Sequence, residues 1–161
     1  MTVVVRRATL EDADAIGSIT VDAYREHVAS EYLGELRDAE SRVREAEVLV
    51  ALVDLEIVGA LTVAEPGNRY AEIGRPDELE VRMLAVAEAA RGQGIAARLM
   101  DAAEARAREL GLPAVVLCTA PTMHAAHRLY ERRGYERQPD RDWYVPEEDF
   151  NLLTYRRSLA D

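Results

Sequence analysis

Cysteine is almost missing from this chain: Cys118 is alone among 161 residues, so no intramolecular disulfide can form. It lies in the apolar run AVVLCT, where a single cysteine reads as a small core residue and a cytoplasmic setting as the natural one. Long apolar runs are missing too. None approaches the about 20 residues of a membrane span, and the opening MTVVVRRATLEDAD lacks the basic-then-apolar layout of a signal peptide, so no membrane partner is expected. Positive charge is in deficit, with 20 basic against 30 acidic side chains and a formal balance of -10, which disfavours nucleic acid and suits cationic small molecules. The same surplus is also an ordinary route to solubility. Metal ligands do not cluster: His124 and His127 stand three apart on a helical stretch with no further ligand group, so no metal is expected.

What is present reads as one domain over residues 1–161, long enough to bury about two thirds of its unfolded surface. VVVRRAT is strand-like, and a helix follows in which Thr9 caps and Asp12 completes a capping-box pattern. Residues 31–46 place Tyr32, Leu33, Leu36, Ala39 and Val43 at helical spacing and predict one second helix. EVLVALV and EIVGALTVAE predict a hairpin turning near Asp54. Residues 66–77, with two prolines and two glycines and no period, predict a loop longer than most. ELEVRMLAV is the next strand, and a helix runs from about Gly94 to Leu110, with Gly111 and Pro113 to stop it. AVVLCT is apolar throughout, as a strand covered on both faces is. A helix over 122–133, a short strand at 135–138 and a last strand, FNLLTYRRS, complete the order. The fold class is therefore α/β, a mixed sheet with helices on both faces and a parallel crossover across residues 78–119.

The stretch EVRMLAVAEAARGQGIAARLM passes from strand to helix through two glycines. The first turn of a helix carries N–H groups without internal partners and partial positive charge, so an anion fits there. Gly92 and Gly94 allow backbone conformations closed to other residues and a close phosphate approach, Ala96 keeps the wall thin, and Arg91 adds a full charge at the rim. Glycines also serve tight turns for purely local reasons. A dinucleotide fingerprint is permitted by Ala97 at the third position but argued against by the turn's place after the fourth strand, and a Walker A pattern fails for want of Gly-Lys-Ser/Thr.

RGQGIA, Arg91 to Ala96, resembles the Q/R-x-x-G-x-G/A acetyl-CoA signature of the GCN5-related N-acetyltransferases, and AAHRLYERRGY, Ala125 to Tyr135, is similar to that family's second motif. The resemblance implies the family's fold, with a central sheet of six to seven strands, and acetyl-CoA as co-substrate. It implies that the diphosphate sits on backbone N–H groups of Arg91, Gly92, Gln93, Gly94, Ile95, Ala96 and Ala97. It implies further that the pantetheine arm pairs like a strand with Leu84, Ala85 and Val86, where two strands splay, and that the Leu84 N–H steadies the oxyanion. Tyr130 takes the place of the family's general acid; read without the motif, it is a half-buried packing aromatic. Met123 stands where the family often has Asn, which removes one pantetheine contact.

An attacking amine must lose a proton, and Glu80 occupies the position at which some members carry a base acting through water. Alternation puts Glu80, Arg82, Leu84 and Val86 on one face, lining a wet cleft or forming a solvated face on which Glu80 and Arg82 pair. Tyr24, Tyr32, Tyr70, Trp143 and Tyr144 fall in segments that form the acceptor side of this fold, or serve in packing. The expected activity is direct acetyl transfer to a primary amine, on a small cationic molecule in the first instance. The alternatives are a protein lysine or N-terminus, or a non-catalytic acyl-CoA-binding module. A homodimer is allowed.

Overall fold

The computed structural model describes residues 2–159. Its strands are β1 (Val3–Arg7), β2 (Glu47–Val53), β3 (Glu56–Ala64), β4 (Glu78–Val86), β5 (Ala114–Thr119), β6 (Glu136–Arg137), β7 (Trp143–Val145) and β8 (Phe150–Ser158). Its helices are α1 (Ala13–Tyr24), α2 (Ser30–Arg37), α3 (Ala39–Glu45), α4 (Ile95–Glu109) and α5 (His124–Arg132). The sheet runs β1-β2-β3-β4-β5-β8-β6, with β7 also on β8, and β4 to β5 is its parallel pair. Eight strands exceed the six to seven expected. The addition is β7, whose three residues are too short to show a period and whose partner, Phe150 to Leu152, lies just across a turn.

Alternation along β2 and β3 separates two cores. Leu49, Ala51, Leu61 and Val63 pack with Leu99, Met100 and Ala103 of α4, while Val48, Val50 and Ala60 pack with Ile16 of α1 and Ala39 of α3. Helices thus cover both faces, each by an apolar stripe. Burying Leu99 and Met100 completely fixes α4 on the sheet, and truncating either to Ala costs about 2–5 kcal/mol. The β2–β3 turn falls at Asp54 and Leu55, both with positive φ as a two-residue hairpin turn requires.

The single helix expected over 31–46 is two, α2 and α3. Asp38 ends the first and caps the second, accepting the Ser41 N–H at 3.2 Å, and the buried Arg42 guanidinium takes the carbonyls of Glu35 and Leu36 at 2.8 and 2.9 Å. The last carbonyls of a helix lack partners within it, and the guanidinium adds to the Asp38 N–H that already reaches Glu35 at 3.2 Å. In the first helix the Thr9 N–H donates to Asp12 at 2.8 Å, the reciprocal half of a capping box. No described helix is long and apolar enough to cross a membrane.

Candidate active site

β4 and β5 pair over three residues only, ending where Glu80 faces Val116. Beyond that rung each strand follows its other neighbour: β4 stays with β3 to the Gly59–Val86 pair, and β5 stays with β8 to the Thr119–Leu153 pair. A cavity of about 410 Å³ opens in the gap, lined by Glu80, Arg82, Leu84 and Thr119 of the sheet, Tyr130 of α5, and Tyr24 and Tyr32 of the opposite helices. Among the described residues the edge of β4 toward this gap has no partner strand after Glu80, so its ladder groups are available to an extended ligand.

Strict alternation fails inside β4. Ala60 faces Ala85 but Thr62 faces Arg82, so Met83 and Leu84 together oppose Leu61, and Met83 has φ 60°. This is a β-bulge, which bends the strand and resets its faces. Leu79 and Val81 before it, and Leu84 and Val86 after it, pack toward α4, whereas Met83 joins Val21 and Leu36 under α1 and α2. The expected shared face of Glu80, Arg82, Leu84 and Val86 is therefore corrected: the first two point toward α1 and α2, the last two toward α4.

Glu80 is 2% exposed, not solvated, and its Oε1 accepts the N–H groups of Ile73 at 2.9 Å and Gly74 at 2.8 Å. Burial raises its carboxyl above the ordinary range, and these bonds and the Arg82 charge only partly oppose that. The loop over 66–77 thus walls Glu80 in. Arg82 does not pair with it as a surface partner; its guanidinium is held by Glu72, the Tyr32 hydroxyl at 3.1 Å and the Tyr70 carbonyl at 3.2 Å.

Tyr130 is buried with its ring 5.8 Å from those of Tyr135 and Tyr155, and among the described residues nothing hydrogen-bonds its hydroxyl. Burial, with a contribution from Tyr155, raises its phenol far above the ordinary value, so it stays protonated at any working pH. Of the other aromatics, Tyr24, Tyr32 and Trp143 line the cavity. Tyr70 instead packs against Ala46 and Ala64, and Tyr144 is exposed with its hydroxyl on Asp149. His127 donates its Nε2–H to the Ala120 carbonyl at 3.0 Å, and no metal-ligand cluster occurs among the described residues. Burial raises the Cys118 thiol, which meets Trp143 and Thr154, so it is no ready nucleophile.

At the start of α4 the first intrahelical bond runs from Arg98 N–H to the Gly94 carbonyl. Among the described residues the N–H groups of Gly92, Gln93, Gly94, Ile95, Ala96 and Ala97 have no backbone partner, while that of Arg91 is spent on the Glu88 carbonyl at 3.2 Å. Gly92 and Gly94 have φ 78° and 77°, and nothing lies within 4 Å of where a Cβ would stand at either. Six backbone donors without a backbone partner, with open space beside Gly92 and Gly94, fit a diphosphate.

Sequence reasoning missed the two loop amides on Glu80 and the cavity-lining Glu147 and Glu148. The first pair depends on the 66–77 loop reaching Glu80 and the second on the β7–β8 turn, where Glu148 accepts the Ala29 N–H at 2.6 Å; neither period nor motif signals such contacts.

The Acetyltransferase (GNAT) family model matches residues 13–135. No curated protein matches. Among solved structures, the chain is 25% identical to the ribosomal-protein-alanine N-acetyltransferase of Brucella melitensis, covering 97% of this chain and 99% of that one at a TM-score of 0.75. It is 18% identical to YncA of Salmonella typhimurium, solved with its cofactor acetyl-CoA, over 100% and 96% of the two chains at 0.76. The PaiA N-acetyltransferase of Thermoplasma acidophilum, in complex with coenzyme A, is 13% identical over 98% and 99% at 0.75.

Proposed function

The chain belongs to the Acetyltransferase (GNAT) family and is an acetyltransferase with acetyl-CoA as co-substrate, and from that premise we propose that it acetylates a primary amine of a small cationic molecule. One observation carries this reading. The cavity is lined by six carboxylates, Glu31, Glu35, Glu72, Glu80, Glu147 and Glu148, against the single guanidinium of Arg82, with Tyr24, Tyr32 and Trp143 among them. Such a mouth concentrates cations, and aromatic faces add to their attraction.

Acetyl-CoA supplies the activated thioester; the rest falls to residues of this chain. The free amides from Gly92 to Ala97 hold the diphosphate, helped by the Arg91 side chain, and the open edge at Leu84, Ala85 and Val86 takes the pantetheine arm. The Leu84 N–H donates to the thioester oxygen as negative charge develops. Glu80 withdraws a proton from the ammonium group of the acceptor, a task suited to a carboxyl that burial raises above its ordinary value. Tyr130 returns a proton to the departing thiolate. Direct transfer accords with the inert surroundings of Cys118.

A second reading, a protein N-terminus as acceptor, is favoured by the likeness to the Brucella enzyme over nearly the whole of both chains. Coenzyme A release across diamines, amino acids, aminoglycosides and N-terminal peptides separates the two. Turnover on small polycations, falling with ionic strength, is expected; turnover confined to peptides would transfer the assignment to the second reading.

A further inference from the structure

Thr119 ends β5 at the split, and three facts about it stand together. It is 5% exposed, it lines the cavity, and its Oγ1 is buried with no hydrogen-bond partner among the described residues. Buried hydroxyls are ordinarily satisfied, and leaving one unpaired costs stability that a fold does not carry without return. The preceding residue and its partner on β8 show the contrast: Cys118 Sγ meets Thr154 at 3.4 Å, and the Thr154 hydroxyl donates to the Arg141 carbonyl at 2.9 Å.

The strand also fixes which side of the split the hydroxyl serves. Val115 and Leu117 belong to the core shared with α4 and Tyr130, and a period of two carries Thr119 onto the same face. Cys118 faces the opposite way, toward Trp143. Glu80 and Arg82 also lie on that opposite side, with the carboxylates of the acceptor mouth. Thr119 is three residues past Val116, the last β5 residue paired with β4, so it stands where the strands have already parted. Thr119 shares the cavity wall with Leu84 and Tyr130.

We propose that the Thr119 hydroxyl is a binding contact for the pantetheine arm of acetyl-CoA, whose amides and hydroxyl offer both acceptors and donors to a group that is itself both. Resting on the acetyl-CoA reading above, it names a residue that substitutes for the side-chain amide lacking at Met123. The unpaired hydroxyl of the free protein becomes satisfied when the arm is bound.

The test is calorimetric titration of the parent, Thr119→Val and Thr119→Ser with two ligands, acetyl-CoA and 3′-phospho-ADP, which keeps the diphosphate but has no arm. Thr119→Val should weaken acetyl-CoA about three- to tenfold, leave 3′-phospho-ADP unchanged, and melt no lower than the parent when unliganded. Thr119→Ser should restore acetyl-CoA binding. Equal acetyl-CoA affinity for parent and Val variant, or equal weakening of both ligands, would overturn the assignment to the arm while leaving the acetyl-CoA reading intact. A parent that binds neither ligand would remove both.

Discussion

Gly74 donates its backbone N–H to Oε1 of Glu80 at 2.8 Å, and a Cβ added at Gly74 would stand 3.3 Å from that same oxygen. A loop amide is thereby set against a buried carboxylate, with Ile73 beside it at 2.9 Å. The proton-accepting form of Glu80 is the ionised one, so activity is lost as pH falls through its raised value. The acid limb of kcat/KM should accordingly lie above 4.5, the ordinary carboxyl value. Glu80→Gln should lower kcat by about 100- to 10,000-fold and abolish that limb. Gly74→Ala crowds Oε1 and should shift the limb while retaining most activity. A pH profile unchanged in Glu80→Gln would remove Glu80 from the chemistry.

Tyr130→Phe deletes a hydroxyl that has no partner within the described protein. It should therefore cost little stability and leave acetyl-CoA affinity nearly intact, yet lower kcat by about ten- to ten-thousandfold. Stopped-flow or steady-state rates beside a melting curve decide it. A loss carried by acetyl-CoA affinity alone would make Tyr130 a packing residue.

Glu78 anchors the start of β4, with Arg141 and Arg156 on its carboxylate at 2.8 and 2.6 Å and the Arg75 N–H at 3.0 Å. Burial alone would raise its carboxyl, but these partners outweigh burial and lower it from 4.5 to about 2. A depressed carboxyl stabilises the fold above its unfolded value and ceases to do so as pH falls through the folded one. Relative to Glu78→Gln, the parent should gain about 3 kcal/mol at neutral pH, shrinking between pH 4.5 and 2. Urea unfolding at several pH values reads this; a difference constant across that window would contradict it.

Direct transfer leaves no acetyl group on the enzyme. All 20 basic residues are arginine, so no lysine side chain can collect a background acetyl mark. Intact-mass spectrometry after incubation with acetyl-CoA should show the unmodified chain, and Cys118→Ala should retain its turnover. An acetyl adduct that appears and is then consumed by added amine would replace the direct route with a covalent one.

Most strands and the α4 turn were legible in the sequence because each rests on local rules: alternation, apolar runs, and glycine where φ turns positive. The break at Asp38 was hidden by helical spacing that continues across it; the Asp38 cap on α3 and the Arg42 guanidinium closing α2 together explain the interruption. The bulge at Met83 was equally hidden, since no glycine or proline announces it, and it reversed the facing of Leu84 and Val86. RGQGIA and the helix carrying Tyr130 could be read as motifs. The burial of Glu80 could not, because it depends on the 66–77 loop folding back over β4. Thr119 read as one more position in an apolar strand; its unpaired hydroxyl emerges only where β4 and β5 diverge.

On the proposed function, the free amides from Gly92 to Ala97 hold the diphosphate of acetyl-CoA. Calorimetric titration of coenzyme A into the parent and into Gly94→Asp, with melting curves to verify that both are folded, tests it most directly. The parent should bind saturably and the folded variant not at all, because a side chain and a negative charge enter the open space at Gly94. Equal heats from the two proteins, or none from the parent, would contradict it.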